Sequence, residues 1–166
     1  MGAMKAVHDF ALLAPVPLEH LQSGKGVAAA QGFVAFGTRK WELLRKLDVM
    51  RQGDPVPAPI YPSQEDDPAK LTFLVCWYDG SVETPSGQHP LWMKHRPPTT
   101  GHYPTDNLGH WAAFWHVRGL RELPKHKHTP IGKLGTIKGG WPQNAPQRAP
   151  ELVALPDNRA DEESSR

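Results

Sequence analysis

Leu47-Asp-Val-Met-Arg-Gln-Gly-Asp-Pro-Val-Pro-Ala-Pro-Ile-Tyr-Pro-Ser63 reads as the basic end of a helix that turns into an extended segment. Gly53 stands where a helix C′ residue of positive φ belongs, Arg51 suits the negative end of the helix dipole, and Asp54-Pro55 blocks another helical turn. Beyond the turn, Val56, Ala58 and Ile60 alternate with Pro57 and Pro59. Prolines donate no ladder hydrogen bond, which suits an edge strand or an irregular wall more than a central strand.

Upstream, Gly32-Phe-Val-Ala-Phe36 reads as a buried strand, and Gly37-Thr38 opens the helix with Thr38 as N-cap and Trp41, Leu44 and Leu47 or Asp48 in helical period. Before it, Asp9 to Gly24 reads as a short helix with Pro17 at N1 and Gly24 as its stop. Downstream, two strands are expected, Leu71 to Tyr78 and Trp111 to Val117, with large residues at alternate positions: Leu71, Phe73, Val75 and Trp77, then Trp111, Ala113, Trp115 and Val117. The span between them, Asp79 to His110, has no clear period. A connection of that length is functional or disordered, and its aromatic content favours order. In the last third, Pro130-Ile-Gly-Lys-Leu134 reads as a short helix start, Gly139-Gly-Trp-Pro142 as a turn and Glu151 to Leu155 as a brief apolar piece. After Pro156 nothing apolar exceeds alanine, so that tail cannot offset its ordering entropy and is expected to be disordered.

The 166 residues, 39% of them apolar, suffice for one domain with a respectable core, residues 4–155. Eighteen prolines and fifteen glycines cut the chain into short pieces, which argues against a helix bundle and for short strands with long connections. Met1-Gly2-Ala3 ahead of Met4 reads as a cloning remnant. The net charge of +2 permits an anionic partner without requiring one. Cys76 is the single cysteine, lies in an apolar run and reads as a small core residue in a reducing compartment. No apolar run reaches the ~18 residues of a membrane span and the start lacks signal-peptide order, so a cytoplasmic protein with no membrane partner is expected.

Six tryptophans and three tyrosines offer flat faces for a base or a cation. Core is the ordinary reading of Trp41, Trp77, Trp111 and Trp115, whereas Trp92 lies among polar neighbours. Arg39 and Lys40 fall in the first turn of a helix, where the dipole disfavours cations by about 0.3–1 kcal/mol each and a bound anion would reverse the sign. With Thr38 they make a phosphate seat or simply reach solvent. Nine histidines show no paired ligand spacing and one cysteine cannot build a zinc site, so no metal is expected. His126-Lys127-His128 reads as a solvated loop, and His110 and His116 as satisfied structural histidines. The chain lacks a Gly-x-Ser-x-Gly elbow, a Walker loop and a Gly-x-Gly-x-x-Gly fingerprint. Lys40 near Thr38 and Glu42 is a weak spacing for amide chemistry.

Three stretches resemble the EVE domain of the PUA-like superfamily, to which the ASCH domain also belongs. They are Leu47 to Val56 running on to Tyr61-Pro-Ser63, Tyr103-Pro-Thr-Asp-Asn-Leu-Gly-His-Trp111, and Leu120-Arg-Glu-Leu-Pro124 with Pro130-Ile-Gly-Lys-Leu134. The resemblance covers roughly Phe33 to Leu155. It implies a mixed α+β fold, a small strongly bent PUA-like β-barrel of about five strands flanked by short helices. It also implies a pocket for a modified or flipped base in DNA or RNA, beside a nuclease or RNA-processing partner or in a monomer. Matching positions give Ser63, Tyr103, Asp106 and Trp111 as pocket residues. Trp77, Asp79 and Trp92 join them because a flipped base needs ring faces and a hydrogen-bonding edge. The hollow is expected between the two long strands and the segment around Tyr103.

Phosphate contacts are expected from Thr38, Arg39, Lys40, Lys94, His95 and Arg96, with no cofactor. The chain departs from the family pattern at Gly32 to Thr38, in the prolines at 55, 57 and 59, and in an added N-terminal piece, Ala6 to Ala30. An ASCH-type amidohydrolase acting on an acylated nucleoside is the alternative, with Lys40 as base or nucleophile, Thr38 as nucleophile or orienting hydroxyl and Glu42 as proton carrier. The signature Gly-x-Lys-x-x-Glu-x-Arg is met only as Gly37-x-Arg39-x-x-Glu42 with Arg45 one place late. A third reading is an adaptor whose aromatic segment from Trp92 to Trp111 meets another protein.

Overall fold

The computed structural model describes residues 6–63, 71–72, 74–84, 90–103, 111–130 and 150–154. Asp106, the rest of 104–110, the expected helix start beyond Pro130, the turn at 139–142 and the tail after Pro156 lie outside them. In chain order the elements are β1 (Phe10–Val16), α1 (Leu18–Gln31), β2 (Val34–Thr38), α2 (Trp41–Arg51), β3 (Val56–Pro62), β4 (Leu71–Thr72), β5 (Leu74–Glu83), α3 (Pro90–Met93), β6 (Ala113–Glu122), β7 (Thr129–Pro130) and β8 (Glu151–Ala154). Short 3-10 turns occupy Pro98–His102 and Lys125–Lys127. The result is a mixed α+β fold with a six-stranded curled half-barrel sheet, order β2-β6-β5-β3-β1-β8, and a separate β4-β7 ribbon. Only β1 with β3 is parallel within the larger sheet.

Two bulges between β5 and β6 account for much of the curl. Tyr78 pairs with Val117 and Ser81 with Trp115, so Asp79 and Gly80 together face His116 alone. On the other strand, Val75 pairs with Arg121 and Trp77 with Arg118, which leaves Gly119 and Leu120 opposite Cys76. Gly80 (φ 137) and Gly119 (φ 67) take the positive φ that an extra residue demands and that a side chain would resist. Each bulge bends its strand and steepens the local twist.

One face of the sheet carries both long helices. Leu12, Ala14, Val16, Val34, Phe36, Val56, Ala58, Ile60, Tyr78, Trp115 and Val117 point to it, and Leu21 and Ala28 of α1 with Leu44 and Leu47 of α2 close over them. Gly24, expected to stop α1, instead lies mid-helix, and a Cβ there would stand 3.4 Å from Pro97 and 3.5 Å from Val34. It sits at van der Waals distance from the sheet, and α1 runs on to Gly32.

The N-terminal piece is likewise an integral part of the fold. The residues expected to form a single helix split into β1 and α1, and β1 lies between β3 and β8. The proline-rich segment is also placed differently from expectation, since β3 is an interior strand between β5 and β1. The two ladders are staggered: β5 registers with Val56–Ile60 and β1 with residues 60–62. Pro57 and Pro59 therefore fall where the strand is in register on one side only, which tolerates residues without a donor. The α2 helix ends as expected at Arg51, with Gln52 (φ 50) and Gly53 (φ 86) left-handed. Its N-cap is Lys40, with no side-chain cap bond; Thr38 closes β2, and its Oγ1 accepts the Lys40 N–H at 3.1 Å.

Candidate functional site

The face opposite the helices is covered at both ends and open between them. At the β2 end, Arg96 is buried: its Nη1 donates to the Ala35 carbonyl at 2.9 Å and its guanidinium lies 5.1 Å from the Phe114 ring centre. At the β1 end, Ala11, Leu13, Tyr61 and Val153 form a small buried cluster. Between them, Pro57, Pro59, Val75 and Trp77 are half-buried, and Arg118 and Arg121 are exposed. Register fixes this arrangement, since Pro57 opposes Trp77, Trp77 opposes Arg118 and Val75 opposes Arg121. The expected alternation in β5 is present but faces the other way: Cys76 and Tyr78 enter the core, while Val75 and Trp77 look out. Burial raises the Cys76 thiol well above its ordinary range, and its Sγ donates to the Ala58 carbonyl at 3.3 Å.

The first bulge builds a charged corner beside this surface. Arg118 Nη2 lies 2.9 Å from Asp79 Oδ2, and Arg51 Nη1 lies 3.9 Å from Asp79 Oδ1. His116 Nε2 donates to the Asp79 carbonyl at 2.9 Å. Trp92 stacks on the His116 ring at 4.7 Å and 9°, and Phe33 packs against both His116 and His95. Underneath, Asp48 accepts from Arg51 Nε (2.8 Å), the Tyr78 hydroxyl (2.9 Å) and the Ser81 hydroxyl (2.7 Å).

His116 is only half satisfied, because its buried Nδ1 has no hydrogen-bond partner among the described residues. Desolvation lowers its pKa below the ordinary 6.5; Asp79 works against that, while Arg118, His95 and Arg51 reinforce it. As pH falls through 6.5 the unfolded chain binds its proton first, so the stability that neutral His116 provides is complete above that pH and is lost below it. Urea midpoints at pH 7.5 and 5.5 should therefore fall further in the wild type than in His116→Gln. Equal falls would dismiss His116 as the titrating group.

The chain matches no family model, no curated protein and no solved structure.

The likeness to the EVE domain thus stands on its quoted motifs; of the residues it nominates, Asp106 lies outside the described residues and the other three attach to different elements. Ser63 lies at the end of β3, its N–H donating to the Val16 carbonyl at 3.1 Å. Tyr103 is exposed and its hydroxyl bonds the Glu19 carboxylate, near the start of α1. There His20 Nδ1 meets Thr99 Oγ1 at 2.7 Å and Ser23 Oγ meets the same oxygen at 2.8 Å, which ties the 98–102 turn to the helix. Trp111 packs on Gly37, where a Cβ would come within 2.3 Å of its ring. The β5 and β6 strands are hydrogen-bonded neighbours, and residues 104–110 of the segment expected to face them lie outside the described residues.

What does converge is Trp77, Asp79, Trp92 and His95, joined by His116, Arg51 and Arg118. Sequence reasoning missed Arg118 as a member, although a cation opposite a tryptophan in the next strand is a legible signal once register is known. Of the expected phosphate contacts, Arg39, Lys40 and Lys94 are exposed and His95 is half-buried and bonded to Gln31, but Thr38 and Arg96 are buried. Thr38, Lys40 and Glu42 gather no catalytic geometry, because the Thr38 hydroxyl serves the turn while Lys40 and Glu42 both face solvent. Among the described residues no three His, Cys, Asp or Glu side chains come together as a metal site would require, and no helix is long and apolar enough to cross a membrane.

Proposed function

We propose that this protein is a nucleic-acid-binding module of PUA-like type that takes an unpaired or flipped base, plain or modified, on the sheet face opposite its two long helices. The observation that carries the reading is Trp77, half-exposed on that face with Arg118 directly across the ladder and Arg121 beyond it. An indole offers a stacking surface to any base, and the neighbouring Arg121 guanidinium meets a phosphate beside it. The surface is sheet and tryptophan, held by two bulges, so little ordering entropy opposes binding. The curled sheet with helices packed on its other face accords with the resemblance in the sequence.

Fluorescence anisotropy with labelled single strands, plain and base-modified, tests the proposal at two salt concentrations. Trp77→Ala should weaken binding by about 1–3 kcal/mol, a loss of roughly 5- to 150-fold. Arg121→Gln should reduce the slope of log affinity against log salt by about 0.7, the share of one phosphate contact on a single strand. Failure of every oligonucleotide to bind at low salt would end the proposal.

A further inference from the structure

We infer that the base held by this face is guanine, its ring on Trp77 and its N1–H and exocyclic amino group donating side by side to the Asp79 carboxylate. The inference rests on the proposed function and names the ligand that the same surface selects. Trp77 and Asp79 are two residues apart on β5, and Arg118, which opposes Trp77, bonds Asp79, so both side chains share one face. Residues so spaced along a strand stand about 6.6–6.8 Å apart. A base centred over the indole needs about 3 Å from ring centre to edge and about 2.9 Å for the hydrogen bond, which brings that edge to the carboxylate.

The acceptor chemistry then selects the base. A carboxylate only accepts, through about four lone-pair sites on two oxygens. Guanine is the one common base whose pairing edge presents two adjacent donors, so it alone meets a carboxylate in the two-bond manner. Adenine and cytosine each set a ring acceptor beside their amino group, and uracil and thymine flank their single N–H with carbonyls. The Asp79 carboxylate keeps capacity for this: Oδ2 takes one bond from Arg118 at 2.9 Å, Oδ1 has Arg51 only at 3.9 Å, and a quarter of the side chain is exposed. Gly119 leaves the Trp77 ring uncrowded on one side, 3.8 Å from Cδ1 to where its Cβ would be, while His116 and Arg51 close in on Gly80 beside Asp79. Arg118 acts here as a positioning residue that fixes the carboxylate across the bulge.

The test uses a thymidine strand of about ten nucleotides, the span of a single stacking surface, carrying at its centre guanine, inosine, adenine or cytosine. Inosine keeps N1–H and loses only the amino group. The guanine strand should compete with a labelled tracer about 5- to 150-fold better than the inosine strand, the range of a good two-bond contact. Asp79→Asn should bring the two within about twofold, while an unchanged circular-dichroism spectrum reports an intact fold. Binding without preference between guanine and inosine, or a preference that survives Asp79→Asn, overturns guanine selection and leaves the nucleic-acid reading standing. If no strand binds at all, both fall together.

Discussion

Trp115→Ala is expected to lower the free energy of unfolding by about 3–5 kcal/mol, with a fall in thermal midpoint of roughly 6–20 °C for a chain of this size. Trp115 is 1% exposed and stands on the central strand of the β2-β6-β5 trio, with Phe36 at 5.2 Å on one side and Tyr78 at 6.4 Å on the other. Truncation removes the bulkiest wholly buried side chain among the described residues and leaves a void in a close-packed core. Trp115→Phe supplies the control. The indole Nε1 has no hydrogen-bond partner among the described residues, so phenylalanine removes an unsatisfied donor along with part of the apolar contact. It should cost about 1–2 kcal/mol, well under half of the alanine effect. Urea titrations of the three proteins would measure this, and an alanine variant within about 1 kcal/mol of wild type would mean that the sheet does not depend on this ring.

The features that were legible in the sequence are those written in consecutive residues. The stop of α2 is one, because Arg51, Gly53 and Pro55 each act through the backbone of their own neighbourhood. The strands around Val75 and Trp115 are another, since alternation survives whatever the rest of the chain does. The face that β6 turns inward was legible too, since Ala113, Trp115 and Val117 are buried, but that of β5 was not. In β5 the larger ring, Trp77, looks out, while Cys76 and Tyr78 look in, because one residue inserted at Asp79–Gly80 resets the parity against β6.

Gly24 and Gly37 show the same limit from another side. Both resemble punctuation in sequence, yet each marks a close approach to a distant residue, Pro97 and Trp111 respectively. The interior place of β3 was hidden by its prolines, which are tolerated only because its two partners are staggered. The candidate site was half legible: Trp77, Asp79, Trp92 and His95 were named from their chemistry, whereas Arg118, His116 and Arg51 joined them only through the β5-β6 register and the end of α2.

Asp48 was the least legible of all, since in the helical pattern it could as well have been a core neighbour of Leu47. It is the junction between α2 and the bulge, accepting one bond each from Arg51, Tyr78 and Ser81. Asp48→Ala should cost about 3 kcal/mol or more, because it strands the hydroxyl of the fully buried Tyr78 and leaves Ser81 without its acceptor. Asp48→Asn keeps one acceptor oxygen and should cost roughly half as much. If the loss arises from stranded donors, Tyr78→Phe in the Asp48→Ala background should be far milder than in wild type, with a coupling of about 1–2 kcal/mol in the double-mutant cycle. Additive losses would instead assign the effect to α2 itself. The same variants separate fold from site: in Asp48→Ala Arg51 loses its carboxylate partner and keeps the Asp54 carbonyl, while Asp79 keeps Arg118, so guanine preference should persist wherever the protein remains folded. A folded Asp48→Ala protein that binds the thymidine strand but no longer distinguishes guanine would show that Arg51, rather than Arg118, holds the carboxylate in place.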